Sequence, residues 1–207
     1  IGSSPGALRP SIETSLHALL PHAVVIHAHA VDALAWLVRP SAQEALVSLL
    51  DGLNWTWIPY RRPGAPLTLA VRDALDGEPD VLMLANHGVV IGAADIEKAE
   101  ELLDEVTRRL SSPMRHIAPT AFECSKASGV SPLNLHPATN GIIQSLANDP
   151  VSFSLLGAGV LYPDQAVYLG PEVAFIEDIE ELQVFIDSWE ARFGSKPDYL
   201  IVKNHGV

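Results

Sequence analysis

The 207-residue chain is 48% hydrophobic and 18% charged, which suits an ordinary folded core and excludes a disordered chain. Its formal net charge of -12, with no Lys/Arg run, excludes a nucleic-acid footprint and makes an anionic membrane a poor partner. The lone cysteine, Cys124, excludes an internal disulfide, suits a reducing cytoplasm and reads as packing rather than nucleophile.

No apolar run approaches the roughly 18 residues of a membrane helix, and no signal peptide is visible. The sequence opens on Ile1 and stops at Val207 inside an element, which reads as a portion of a longer polypeptide.

Residues 1–10 are a Gly/Pro/Ser loop. Ser11 then reads as the N-cap of a helix with Ile12, Leu16, Leu19 and Leu20 at helical spacing. Glu13 falls in its first turn, and His17, four residues on, shares its face. Pro21 ends the helix.

A strand follows, Val24-Val25-Ile26-His27-Ala28-His29-Ala30. Alternate side chains of a strand share a face, so His27 and His29 project together while Ile26, Ala28 and Ala30 turn into apolar packing. Two imidazoles so placed can converge on one cation.

Val31–Val38 and Ser41 with Gln43–Leu50 read as helices, Trp55 to Ile58 as a half-buried strand, and Leu67–Leu75 as another helix. The intervening Pro59-Tyr60-Arg61-Arg62-Pro63-Gly64 is a loop. Val81 to Ala85 is a continuous apolar run, the pattern of a fully buried strand, ending at Asn86-His87-Gly88. Asp95 caps a helix over Ile96–Leu110.

Beyond Ser111 the Ser/Pro content rises, and the sequence divides into residues 1–112 and a C-terminal extension over 113–207. Ala166–Leu169 and Val173–Ile176 read as strands there, and Glu180–Phe193 as a helix. The segment from Pro79 to Val89 is echoed by Pro197 to Val207, including a second Asn-His-Gly. No His-x-His strand precedes the echo, so it reads as a repeated strand-to-turn device.

Catalytic zinc sites use about three protein ligands and keep one position open. His27 and His29 supply two, and His87 is the best third, held where a rigid strand meets a turn and Gly88 permits close approach. A single histidine is more often satisfied in a core, but three in two such settings beside a carboxylate favour a cation. His17 reads as an outer-shell partner of Glu13 or of a ligand. His22 reads as solvated, and His116 and His136 take no role.

Taken in order, Pro10-Ser11-Ile12-Glu13, His17, His27-Ala28-His29, Pro59-Tyr60 and Asn86-His87-Gly88 before a long helix resemble the class II aldolase/adducin family. That family includes fuculose-phosphate and rhamnulose-phosphate aldolases, and the resemblance covers about residues 8–110. It implies an α/β fold, a three-layer α/β/α sandwich around a mostly antiparallel central sheet, with a smaller C-terminal α+β extension. It makes 1–112 a metal-binding domain short of its N-terminal part.

The resemblance also implies zinc on His27, His29 and His87, although another divalent transition metal fits such ligands. Glu13 falls on the catalytic acid/base, where related sugar-phosphate epimerases carry Asp. Ser11 and Tyr60 fall on substrate-contacting positions, and Asn86 joins His17 as a supporting residue. The family's phosphate loops have no match before Ser11, Ile12 replaces a second serine, and the proton-donating tyrosine has no counterpart.

The function implied is zinc-dependent lysis of a ketose 1-phosphate or related hydroxy-ketone through a metal-stabilised enediolate. The implied setting is a cytoplasmic homotetramer with subunit-boundary sites and a sugar or sugar-phosphate substrate. A decarboxylase or epimerase on the same metal is the alternative. A non-catalytic adducin-like interaction module is a third reading, which the intact ligand set disfavours.

Overall fold

A computed structural model describes residues 10–113, 115, 117 and 136–207. Cys124 and His116 lie outside the described residues. The chain divides into two compact units, Ile1–Ser112 and Pro113–Val207.

In the first unit the elements are α1 (Thr14–His17), β1 (Val24–Ala28), α2 (Val31–Leu37), α3 (Ala42–Leu49) and β2 (Trp55–Ile58). They continue as α4 (Ala65–Arg72), β3 (Val81–Leu84), β4 (Gly88–Ala93) and α5 (Ile96–Leu110). The strands form one sheet in the order β1-β4-β3-β2. β4 runs antiparallel to both neighbours, and β2 lies parallel to β3.

The expected apolar run is the centre of this sheet, for β3 is buried throughout. β4 is an addition to the elements read from sequence. It too is buried along its whole length, so it lacks the alternation that marks a half-exposed strand, and glycines interrupt it at Gly88 and Gly92. Gly92 is dictated by packing, since a Cβ there would lie 2.2 Å from Nδ1 of His22. His22 is accordingly not solvated. Its side chain is 13% exposed, and its Nε2 pairs with Asp80 Oδ1 at 3.0 Å.

Alternation along the strands feeds two apolar clusters. Val81, Met83, Val89 and Ile91 pack with Ala33 and Leu37 of α2, Leu46 of α3, and Ala99, Val106 and Leu110 of α5. Leu82, Leu84, Val90 and Ile58 pack instead with Leu16 of α1, Leu20, and Leu67 and Val71 of α4. Truncating any one of these buried leucines to alanine costs about 2–5 kcal/mol. The α5 helix begins as read, with Asp95 Oδ1 accepting from the Lys98 amide at 2.8 Å. Its end is fastened where Trp36 Nε1–H donates to Leu110 O at 2.7 Å.

The first helix is shorter than its apolar spacing suggests. Only Thr14–His17 is α-helical and Glu13 sits at its N-cap, because Ser11 closes a turn ahead of it. The Ser11 hydroxyl accepts from the Glu13 amide at 3.2 Å rather than from a helix interior.

The second unit contains α6 (Gly141–Ser145), α7 (Pro150–Leu156), α8 (Pro163–Leu169), β5 (Phe175–Ile176), a 3-10 turn (Ile179–Glu181), α9 (Leu182–Phe193) and β6 (Ile201–Val202). The expected strand at Ala166–Leu169 is the end of α8. Pro163 opens that helix, whose missing amide costs nothing in the first turn, and Gly170 at φ 99° stops it. β5 and β6 pair in parallel, and α9 buries Leu182, Ile186 and Trp189 against them. No helix among the described residues is long and apolar enough to cross a membrane.

Candidate metal centre

β1 carries His27, and His29 follows one residue past its end; the alternation of this segment sorts both imidazoles. Ile26, Ala28 and Ala30 pack into the cluster under α2 and α5, whereas Val25 faces the cluster that contains Leu16 of α1. His27 and His29 thus turn toward α1, the element that Glu13 caps. Their Nε2 atoms lie 3.0 Å apart.

The β3–β4 turn brings the third. Asn86 adopts φ 53°, a left-handed conformation that asparagine tolerates better than most residues, and the His87 amide closes on Leu84 O at 3.1 Å. Ala28 pairs with Val89 across the β1–β4 ladder, which carries the turn to the His29 end of β1. The approach is close enough to demand glycine. A Cβ on Gly88 would stand 2.6 Å from Ala28 O and 2.9 Å from His29 Cδ2.

The ring centroids of His27, His29 and His87 are 5.0, 5.0 and 5.2 Å apart, so the imidazoles face a common centre. Glu13 closes the group, with Oε1 at 3.1 Å from His87 Nε2 and 3.6 Å from His27 Nε2. One ligand atom from each of the four lies within 4.8 Å of the others. Two nitrogens on a tetrahedral zinc, each about 2.0–2.1 Å from the ion, stand roughly 3.3 Å apart. The donors are already at that scale.

Protonation favours the same use. Burial lowers the His27 imidazolium to about 4, below its ordinary 6.5; the Glu13 carboxylate opposes the shift, and the neighbouring imidazoles add to it. At neutral pH that ring therefore offers a lone pair instead of a positive charge. The three imidazoles, with the Glu13 carboxylate beside them, form a donor set suited to a divalent transition cation, and these residues fit one.

The remaining expected residues divide. His17 stands beside the cluster, its ring centroid 6.5 Å from that of His27. Asn86 shapes the turn through its backbone, and its amide donates to Leu37 O at 3.1 Å. Ser11 supports the Glu13 backbone. Tyr60 is 56% exposed, and among the described residues no hydrogen bond or ring contact joins it to the cluster.

Sequence reading missed the brace behind Glu13, where the Ser15 hydroxyl on α1 meets Thr68 Oγ1 on α4 at 2.7 Å. Thr68 in turn donates to Gly64 O at 3.1 Å. Hydroxyls that pair across 53 positions leave no local signal in a sequence.

Residues 2–111 match the family described as the class II aldolase and adducin N-terminal domain. A Bacillus subtilis (strain 168) protein named "Uncharacterized oxidoreductase YuxG" is 33% identical over 84 residues, a match spanning 40% of this chain and 12% of that protein's length. Among solved structures, the N-terminal class II aldolase domain of a conserved protein from Thermoplasma acidophilum is similar at 27% identity. That similarity covers 52% of this chain and 49% of the other, with a TM-score of 0.47.

Proposed function

Since this chain belongs to the class II aldolase and adducin family, we propose that its first unit is the active site of a metal-dependent lyase. The substrate is a ketose 1-phosphate or related hydroxy-ketone, and the carbon–carbon bond beside the carbonyl breaks. The observation that carries this reading is the convergence of Glu13 with His27, His29 and His87. Helices packed through separate clusters against alternate side chains of the sheet support the three-layer arrangement that the family resemblance implies.

His27, His29 and His87 hold the cation, zinc by preference. Bound there, it supplies Lewis-acid polarisation of the substrate's carbonyl and hydroxyl oxygens. Glu13 carries the proton to and from the carbon that loses its partner, a role suited to a carboxylate that is 23% exposed and 3.1 Å from His87 Nε2. Ser15 and Thr68 position α1, and with it the carboxylate. His17 limits the freedom of His27 from the side.

The whole protein's substrate, its assembly as a homo-oligomer and its cytoplasmic setting belong to the same proposal. A decarboxylase or epimerase would use the same donors, and product analysis separates the three. Purified protein is assayed for bound metal and for cleavage of a panel of ketose 1-phosphates and hydroxy acids. Cation-dependent release of an aldehyde from wild type, lost in Glu13→Gln, is the expected result. Wild-type cleavage by Glu13→Gln removes the carboxylate from the reaction.

A further inference from the structure

The second Asn-His-Gly sits in more than a similar turn. In the first unit β2 pairs in parallel with β3 through Trp57–Met83 and Ile58–Leu84. In the second, β5 pairs in parallel with β6 through Phe175–Ile201 and Ile176–Val202. The Ala85 amide donates to Ile58 O at 3.0 Å, and the Lys203 amide donates to Ile176 O at 3.0 Å. Asn86 at φ 53° has its counterpart in Asn204 at φ 59°. His87 closes on Leu84 O, and His205 closes on Val202 O at 2.9 Å.

Tight turns of this kind recur by chance, but two long-range bonds do not follow from the turn. The Asn86 amide reaches Leu37 O at the end of α2, and the Asn204 amide reaches Ala147 O just beyond α6 at 2.9 Å. Ala28 of β1 pairs with Val89, and the Ala138 amide donates to Val207 O at 2.7 Å. The order of elements after that contact is also repeated: two helices, strand, helix, strand, turn, with α8 inserted before β5 and the 3-10 turn inserted before α9.

We infer that the second unit repeats the site-bearing core of the first, and that Pro137, Thr139 and His205 mark a latent cation site in it. Pro137 and Thr139 flank Ala138 as His27 and His29 flank Ala28. Proline offers no ligand atom, and a neutral threonine hydroxyl is a poor donor for a transition cation. His205 keeps its place, and it is poised as a ligand would be. Its Nδ1 donates to Lys203 O at 2.9 Å, which fixes the tautomer and leaves the Nε2 lone pair available. Among the described residues the one group of donors able to hold a metal is that of the first unit. The inference rests on the repeated backbone and not on the lyase reading, which only suggests the probe.

The test uses the full chain. In a His27→Ala/His29→Ala background, Co2+ titration followed by visible absorption should find no bound equivalent. Adding Pro137→His and Thr139→His should restore about one equivalent, and adding His205→Ala should remove it again. A folded four-substitution variant that binds no Co2+ overturns the inference. So does a background that keeps an equivalent sensitive to His205→Ala, because the site would then be active and not latent.

Should those variants not fold, amide exchange on the unsubstituted chain decides. Slow exchange at Ala138 and Asn204 supports the repeat, and exchange at the free-peptide rate at both overturns it. Absence of metal from the wild type would sink the lyase reading alone, since the engineered gain is read against an empty background.

Discussion

The same three residues, Asn-His-Gly, follow a strand in both units, and among the described residues the histidine meets a possible metal-ligand set only in the first. His87 is 2% exposed and pairs with Glu13, while His27 of β1 and His29 just past its end face it. His205 is half-buried and bonded to the carbonyl of Lys203. The turn is therefore a way of presenting a side chain, and the chemistry depends on what the neighbouring extended segment offers. His-Ala-His completes a donor set that could hold a cation, whereas among the described residues Pro-Ala-Thr completes none.

The sharpest way to break this contrast is to remove one imidazole from each unit. His29→Ala should weaken cation binding by more than about 100-fold, beyond the roughly 10–100-fold that loss of an outer partner costs. His205→Ala should leave it unchanged. Zinc content after dialysis checks both, and equal losses would erase the distinction. Next in size, Glu13→Gln should slow cleavage by about 10²–10⁴-fold while cation content stays at the wild-type level. Steady-state kinetics beside metal analysis reads that split.

Glycine substitutions probe packing. Gly88→Ala places a Cβ against Ala28 O and the His29 ring, so we expect about 1–3 kcal/mol of destabilisation and a weakened cation site. Gly159→Ala in the second unit meets nothing within 4 Å and suffers only its positive φ of 85°. Thermal unfolding of the two variants should rank them in that order.

The smallest effect is electrostatic. Arg115 pairs with Asp149, whose carboxyl it holds well below the usual carboxylate range. A depressed carboxyl stabilises the fold above its unfolded pKa of about 4 and loses that contribution as pH falls toward its folded value. Protection factors for amide exchange across residues 141–156, taken relative to the free-peptide rate at each pH, should therefore fall modestly below about pH 4 in wild type, and less so in Asp149→Asn.

Much of this was legible in the sequence because the signals were local. The buried β3, the Asp95 cap with its helix and the shared face of His27 and His29 each follow from a few adjacent residues. β4 was invisible because a central strand buried on both faces loses its period. The Ser15–Thr68 and His22–Asp80 pairs were invisible because each joins distant positions. At Ala166–Leu169 the side chains suggest a strand, and in the fold Pro163 ahead of them opens a helix instead.

The bond from the Asn86 amide to Leu37 O has a consequence for how this molecule can vary. His29 lies just before α2 and Leu37 is that helix's last residue, so its seven residues gauge the distance between strand and turn. Inserting one residue would swing the terminal carbonyl by about 100° around the axis and advance it by about 1.5 Å. His87 would then lose its anchor. Changes of chain length are safer in Pro59–Gly64, a loop outside that circuit, than anywhere between His29 and Leu37.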